Sequence, residues 1–153
     1  MDISAKTDYA IRALLSVAAH AGDGHPVSVE ALVQEQGLPR KFLESILGDL
    51  RRGGLVTSQR GPAGGYTLAR PATEIGIADI FRVVDGPLAE VRGRRPHETS
   101  YDGVAQHLPT LWVAVRASLR RVLDDTTLAD LLSGDLPSHV TELAAAPDAW
   151  RSR

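Results

Sequence analysis

The stretch Arg60-Gly61-Pro62-Ala63-Gly64-Gly65-Tyr66 decides how this chain is read. It lies between two short strand-like runs, residues 55–59 and 66–69, and follows an amphipathic helical segment whose solvent face is basic. A turn rich in Gly and Pro folds one strand back on the next, and this one carries an arginine at its tip. A basic helix followed by such a hairpin is the pattern of a wing beside a helix-turn-helix.

Upstream, residues 39–52 separate cleanly when wound at about 100° per residue. Phe42, Leu43, Ile46, Leu47 and Leu50 share one arc, and Arg40, Lys41, Glu44, Ser45, Gly48, Arg51 and Arg52 fill the other side. Gly48 in mid-helix costs up to about 1 kcal/mol against alanine, so it marks either a close approach or simple tolerance. Gly53 and Gly54 stop the helix. Ahead of it, Ser28 offers an N-cap for a short helix running to about residue 36, with Val27 and Leu32 spaced as a hydrophobic staple. Gly37 closes that helix and Pro39 opens the next. Residues 3–21 carry Ile3, Ala10, Ala13, Leu14, Val17, Ala18 and Ala21 on one side of a first helix. Two helices joined by a short turn and followed by a hairpin make a winged helix-turn-helix.

Downstream, residues 77–84 read as a helix closed by Asp85-Gly86-Pro87. Residues 88–103 hold three arginines, a proline and two glycines without usable periodicity, and are expected to form a long loop. From residue 104 or 109 to 123, Val104, Leu108, Leu111, Trp112, Val115, Leu119 and Val122 form a seam at spacings of three and four. Such a seam wants a partner helix. Thr127 and Asp130 are spaced as a capping box for a last short helix ended by Gly134. The expected organisation is a winged helix-turn-helix domain over residues 1–86, a sensor-type loop over 87–103, a dimerisation helix with a short C-terminal helix over 104–133, and a flexible, frayed tail over 134–153. The fold class is mainly α with a small β-hairpin wing.

Composition narrows the function classes. At 153 residues with 43% hydrophobic content, the chain can bury one domain's core. No run approaches the roughly 18 apolar residues that span a bilayer, and no secretory leader pattern opens the sequence, so no membrane partner and a cytoplasmic location are expected. Cysteine is absent, which excludes disulfides, thiolate-held zinc and cysteine-held iron-sulfur clusters. The net charge of −2 is unevenly distributed. Residues 38–70 carry six basic side chains against two acidic ones, a local balance of +4, while residues 71–153 carry nine against twelve. A positive patch confined to one supersecondary unit is the footprint of a module that binds double-stranded DNA, although a solvated helix face carries such charges too. Arginine suits guanine edges or a narrow minor groove, and glutamate can accept from cytosine N4. Glu44 could equally pair with Arg40 or Lys41, and Arg51 and Arg52 suit phosphates better than bases, or serve solubility alone.

An enzyme is the first rival class. The turn at residues 61–65 lacks the following lysine and hydroxyl of a phosphate-binding loop and opens no helix, and no nucleophile, base and orienter stand in a motif. No catalytic residues are expected. The second rival is a protein-interaction module regulating a partner enzyme, which salt-dependent binding to duplex DNA would separate from a DNA reader.

Several ordered motifs carry a more specific signal: residues 6–14 (KTDYAIRAL), 43–47 (LESIL), Leu50-Arg51, Gly54-Leu55-Val56, residues 60–68 (RGPAGGYTL), Ala78-Asp79-Ile80, Trp112 and residues 126–131 (TTLADL). Together, over residues 1–133, they resemble the Rrf (type two) family of bacterial transcription regulators. The resemblance implies a homodimer whose long helix crosses its twin, with recognition helices in successive major grooves and wing arginines in the minor groove. It places Arg40, Lys41, Glu44 and Ser45 where family members touch bases and phosphates and Arg60 at the minor-groove position; Ser28, Pro39, Arg51, Arg52 and Gly64 complete the expected set of DNA contacts. The expected mechanism is repression by occupying an inverted repeat.

The departure lies in the sensor. Members that hold an iron-sulfur cluster place three cysteines in the loop before the long helix, whereas this loop offers Arg94, His97, Glu98, Ser100, Asp102 and His107. Asp8 occupies the acidic position that some members use. The resemblance therefore implies a regulator without a cluster cofactor, responding to a small molecule or a protein partner. His97, Glu98, Asp102, His107 and Asp8 of the partner subunit are competent metal ligands, but their spacing matches no recognised motif, so a solvated loop without metal is expected. Asp8, Tyr101, His107 and Trp112 are the expected effector-site residues, with core packing the alternative for Trp112.

Overall fold

The computed structural model describes residues 2–152. The first helix, α1 (Ala5–Ala19), starts where the Ser4 hydroxyl accepts from the Thr7 amide at 3.0 Å. Its inward face, Ala10, Ala13, Leu14 and Val17, is fully or nearly fully buried, and the other elements of the winged body pack around it. Small alanines let those neighbours approach closely, and the branched residues fill the remaining volume. The outer side of α1 is fastened by polar bonds. Ser4 and Thr7 hydroxyls donate to Asp85 Oδ2 at 2.7 and 2.6 Å, and Arg12 Nη2 donates to the Gln36 carbonyl at 2.5 Å.

The second helix, α2 (Val29–Gln36), is capped by Ser28, whose hydroxyl accepts from the Ala31 amide at 3.1 Å. Gly37 ends it at φ 62°, a left-handed conformation that glycine adopts without a Cβ penalty. Pro39 is the N-cap of α3 (Arg40–Arg52), one position earlier than its expected place inside the helix. On α3, Leu43, Ile46, Leu47 and Leu50 are completely buried. Phe42, expected with them, stays 38% exposed and meets the Tyr9 ring edge-on at 5.5 Å. It lies at the rim of the arc, one end of the apolar face. Truncating a core side chain such as Leu47 to alanine costs about 2–5 kcal/mol in a site this enclosed.

The wing pairs β1 (Val56–Gln59) with β2 (Gly65–Leu68) antiparallel, with Val56 opposite Leu68 and Gln59 opposite Gly65. A further pairing joins Val27 to Tyr66: the Val27 N–H donates to the Tyr66 carbonyl at 2.9 Å and the Tyr66 N–H to the Val27 carbonyl at 2.8 Å. The wing is thereby fixed to the start of α2. Gly65 makes this possible, because a Cβ there would lie 2.3 Å from the Val27 carbonyl oxygen.

Helix α4 (Ile77–Val84) follows and buries Ile77 and Ile80. The connector after it contains more structure than the expected loop. Val91 and Arg94 exchange two backbone hydrogen bonds across a tight turn, and short 3-10 turns span Pro96–Glu98 and Gly103–Ala105. The long helix α5 (Leu108–Leu123) starts after His107, so Val104 lies outside the seam and is fully exposed. Pro109 sits in the first turn of α5, where its missing N–H costs nothing, whereas a helix running back through it to Val104 would lose that bond. Helix α6 (Leu128–Ser133) has the expected capping box: Thr127 Oγ1 accepts from the Asp130 amide at 3.1 Å and Asp130 Oδ2 accepts from the Thr127 amide at 2.8 Å. It returns to the winged body, for the Ile77 amide donates to the Thr126 carbonyl and Leu128 is fully buried in the core.

The tail is not frayed throughout. Residues Ser138–Ala144 form α7, held by the His139 ring, whose Nε2 donates to the Arg121 carbonyl at 2.8 Å and lies 3.3 Å from Asp125 Oδ2. Such a contact, between residues far apart in sequence, leaves no periodic signature. The architecture is mainly helical with one two-stranded hairpin, as the sequence predicts.

Candidate nucleic-acid interface

The outer side of α3 presents Arg40, Lys41, Glu44, Ser45, Arg51 and Arg52, all exposed. Their electrostatic states differ. Arg40 is committed twice, to Glu44 one turn on (Nε to Oε1, 3.1 Å) and to Glu30 on α2. The hydrogen bond to Glu30, then that to Glu44, raise its already high pKa. Glu44 thus adopts the pairing that its spacing allowed. Arg52 pairs with Asp49, which also accepts from Lys6 on α1 at 2.6 Å, and these bonds, Lys6 first, hold the Asp49 carboxyl below the usual carboxylate range. Arg70, counted in the basic patch, bonds Asp79 at 2.8 Å and the Glu74 carbonyl, and so braces the entry to α4.

Of the six basic residues at 38–70, three have no carboxylate partner among the described residues: Lys41 near the start of α3, Arg51 near its end, and Arg60 on the wing. Arg51 Nη1 donates to Ser58 Oγ at 3.3 Å, which brings the end of α3 against β1. Local +4 charge is therefore carried outward chiefly by these three side chains. Exposed pairs such as Arg40–Glu30 contribute little to stability, so an arriving phosphate can exchange with them.

Ser28 and Gly64 have structural duties as well as the DNA contacts expected of them. Ser28 caps α2. At Gly64 a Cβ would lie 2.2 Å from the Gln59 carbonyl oxygen, and its amide donates to the Gly61 carbonyl at 2.9 Å, closing the tip. Around Gly48, a Cβ would meet only the Arg52 side chain at 3.4 Å, which favours tolerance over a close approach within the chain.

The expected effector residues are not gathered in one place. Asp8 is exposed and 3.7 Å from Arg12, Tyr101 lies beneath the Arg92 guanidinium at 5.6 Å, His107 is exposed ahead of α5, and Trp112 is half-buried with its indole N–H lacking a hydrogen-bond partner among the described residues. None of them lines either of the two cavities beside α5. In the connector, His97 lies 3.9 Å from Glu98 and 3.3 Å from Arg116 Nη1, and no three His, Asp or Glu side chains among the described residues are placed to hold a metal ion.

Sequence reasoning missed the Val27–Tyr66 pairing, the Glu30 partner of Arg40 and the Asp49 claim on Arg52. Only the last, at a spacing of three on one helix, had a local signal. Among the described residues no helix is long and apolar enough to cross a membrane.

A capped two-helix motif with a cationic outer helix, backed by a hairpin whose tip carries an unpaired arginine, defines a winged helix-turn-helix DNA-binding regulator. The chain belongs to the Rrf2 family, whose model, described as an iron-dependent transcriptional regulator, matches residues 3–134. A candidate HTH-type transcriptional regulator of Mycobacterium tuberculosis strain H37Rv is 49% identical over 144 residues, covering 94% of this chain and 89% of that protein. The solved structure of CymR, the global cysteine regulator of Bacillus subtilis, superposes with a TM-score of 0.74 at 34% identity, covering 88% of this chain and 98% of that one. The structure of IscR from T. potens gives a TM-score of 0.69 at 32% identity, covering 100% and 93%. The family and these relatives are transcriptional regulators, not enzymes.

Proposed function

We propose that the protein is a homodimeric repressor that occupies a palindromic operator, carries no iron-sulfur cluster and responds to a small molecule or a protein partner in the cytoplasm. The observation that carries the reading is the placement of Lys41, Arg51 and Arg60. Each belongs to a different part of the unit that a winged helix offers to a duplex, the two ends of α3 and the wing, and each is free of internal carboxylates among the described residues. The dimer is supported by α5. Sixteen residues long and rich in apolar side chains, it contains no buried residue, with Leu111 51% exposed and Val115 38%. An apolar stripe of that length left in water is stabilised by a second stripe like it. Cluster-free sensing is supported by the donor chemistry: clusters of this kind are held by thiolates, and the sequence contains none.

The test is fluorescence anisotropy of the full chain on duplexes recovered by selecting bound fragments of its own genome. A steep fall in affinity with rising salt and half-sites about one helical turn, or a multiple, apart are expected. Indifference to duplex DNA at low ionic strength would end the proposal.

A further inference from the structure

Where the turn after α4 meets α5, four arginines line a cavity of about 420 Å³: Arg82 of α4, Arg95 of the connector, and Arg116 and Arg120 one turn apart on α5, with Pro87 and Leu88 in the wall. Like charges brought together repel one another, so such a convergence calls for anions among them. Two of the four have one. Arg82 Nη2 and Arg120 Nε both donate to Asp124, at 2.6 and 3.0 Å, and although partial burial works the other way, those bonds hold that carboxyl below its ordinary range. The other two do not. Among the described residues, the Arg95 side chain has no hydrogen-bond or ion-pair partner, and the one partner of Arg116 is the ring nitrogen Nδ1 of His97, which is not an anion. Two guanidinium groups therefore face the cavity uncompensated.

The arm that carries Arg95 is held by bonds within its own short segment. Val91 and Arg94 exchange backbone bonds of 2.8 and 3.1 Å across Arg92 and Gly93, which take φ of 54° and 73°, and Glu98 Oε2 accepts from the Arg95 amide at 3.0 Å. A non-glycine residue rarely adopts the left-handed conformation, so Arg92 there marks the turn as a specified feature of the connector. Planar guanidinium forks bind carboxylates and phosphates in pairs of parallel hydrogen bonds, and the cavity's volume fits a small molecule.

We propose that this cavity binds a small dianion, a phosphate ester or a dicarboxylate, through Arg95 and Arg116 with Arg82 and Arg120 beside them, and that this ligand is the regulator's effector. The effector role rests on the regulatory reading above; the binding does not. Arg82 belongs to the winged body and Arg116 and Arg120 to the helix proposed to pair with its twin. An anion held by both sets the angle between them, and with it the separation of the two α3 helices.

The experiment is isothermal titration calorimetry of the full chain, without DNA, using inorganic phosphate in one arm and malonate in the other, with chloride matched for ionic strength. Saturable binding of at least one dianion is expected, and the preferred arm tells phosphate from carboxylate. In the double variant R95Q/R116Q affinity falls by about tenfold or more, since two charge-assisted bonds are lost. Neither arginine leaves a carboxylate unpaired, and circular dichroism verifies the fold of the variant. R121Q, on α5 but outside the cavity, binds as the parent does. Binding no stronger than chloride, or equal binding by R95Q/R116Q, overturns the proposal. So does a double variant that loses self-association while the parent binds neither dianion, because the two guanidinium groups then meet a carboxylate of a second copy. Duplex binding is measured separately: its failure beside intact dianion binding sinks the regulatory reading and leaves the cavity's ligand standing.

Discussion

Arg60 shows how much rests on single side chains. It stands on the turn between β1 and β2, exposed and without a carboxylate partner among the described residues. Replacing it with alanine removes no side-chain hydrogen bond or ion pair among the described residues, so the fold should stay intact and the loss appear on DNA. Expected is weaker binding with the salt slope reduced by about one if a phosphate contact goes, or relaxed A·T preference if the side chain reads groove width, both measured by anisotropy across salt and sequence. Unchanged affinity and preference would remove the wing from the interface. His20 supplies a pH-dependent contact. Its Nε2 lies 2.8 Å from Glu35 and its Nδ1 3.3 Å from Asp23, and the Glu35 bond, then the Asp23 bond, raise its pKa above 6.5. A raised folded value means that the stabilisation is complete below the unfolded value and disappears as pH rises through the folded one. The melting temperature should therefore decline as pH climbs from about 6.5, and this component should shrink in Glu35→Gln to the share that Asp23 supplies. An identical pH profile in that variant would refute the linkage.

At the level of elements, α2 and α3 are joined by more than their turn. Arg40 bridges Glu30 on one helix to Glu44 on the other, an exposed bond of little worth to the fold. On DNA, Glu30 both competes for Arg40 and adds a negative charge beside the phosphates. Glu30→Gln is expected to tighten operator binding a few-fold at low salt, with the gain fading at high salt, and to leave the melting temperature nearly unchanged. Weaker binding would show instead that Glu30 holds Arg40 in its working position. The wing follows the same logic, since Val27 pairs with Tyr66 and fixes the hairpin's angle to α2 through backbone bonds alone.

For the whole molecule, the winged body has a closed core to which α5 contributes no fully buried residue. Leu123 packs against that core at one end of the helix, whereas Leu111 and Val115 are open to solvent. Leu111→Asp with Val115→Asp should give a folded monomer by analytical ultracentrifugation with operator affinity reduced by orders of magnitude, because each half-site is then bound alone. A dimer that survives both changes would place the interface elsewhere. The sequence by itself determined the helices, their caps and the hairpin. These are local matters: Ser28, Gly37, Thr127 and Asp130 act within four residues of their partners, and the apolar periods of α1 and α3 record which face is buried. Lys41 and Arg60 could be named for the same reason. Tertiary structure alone decided which cations are already spoken for, since Glu30 to Arg40, Asp79 to Arg70 and Asp124 to Arg82 are separated by ten, nine and forty-two residues, respectively. It also decided that the connector is ordered, that α7 forms within the tail, and that four arginines from three elements line one cavity. Charge in a sequence is counted, but its availability depends on which opposite charge the folded chain brings within hydrogen-bonding distance.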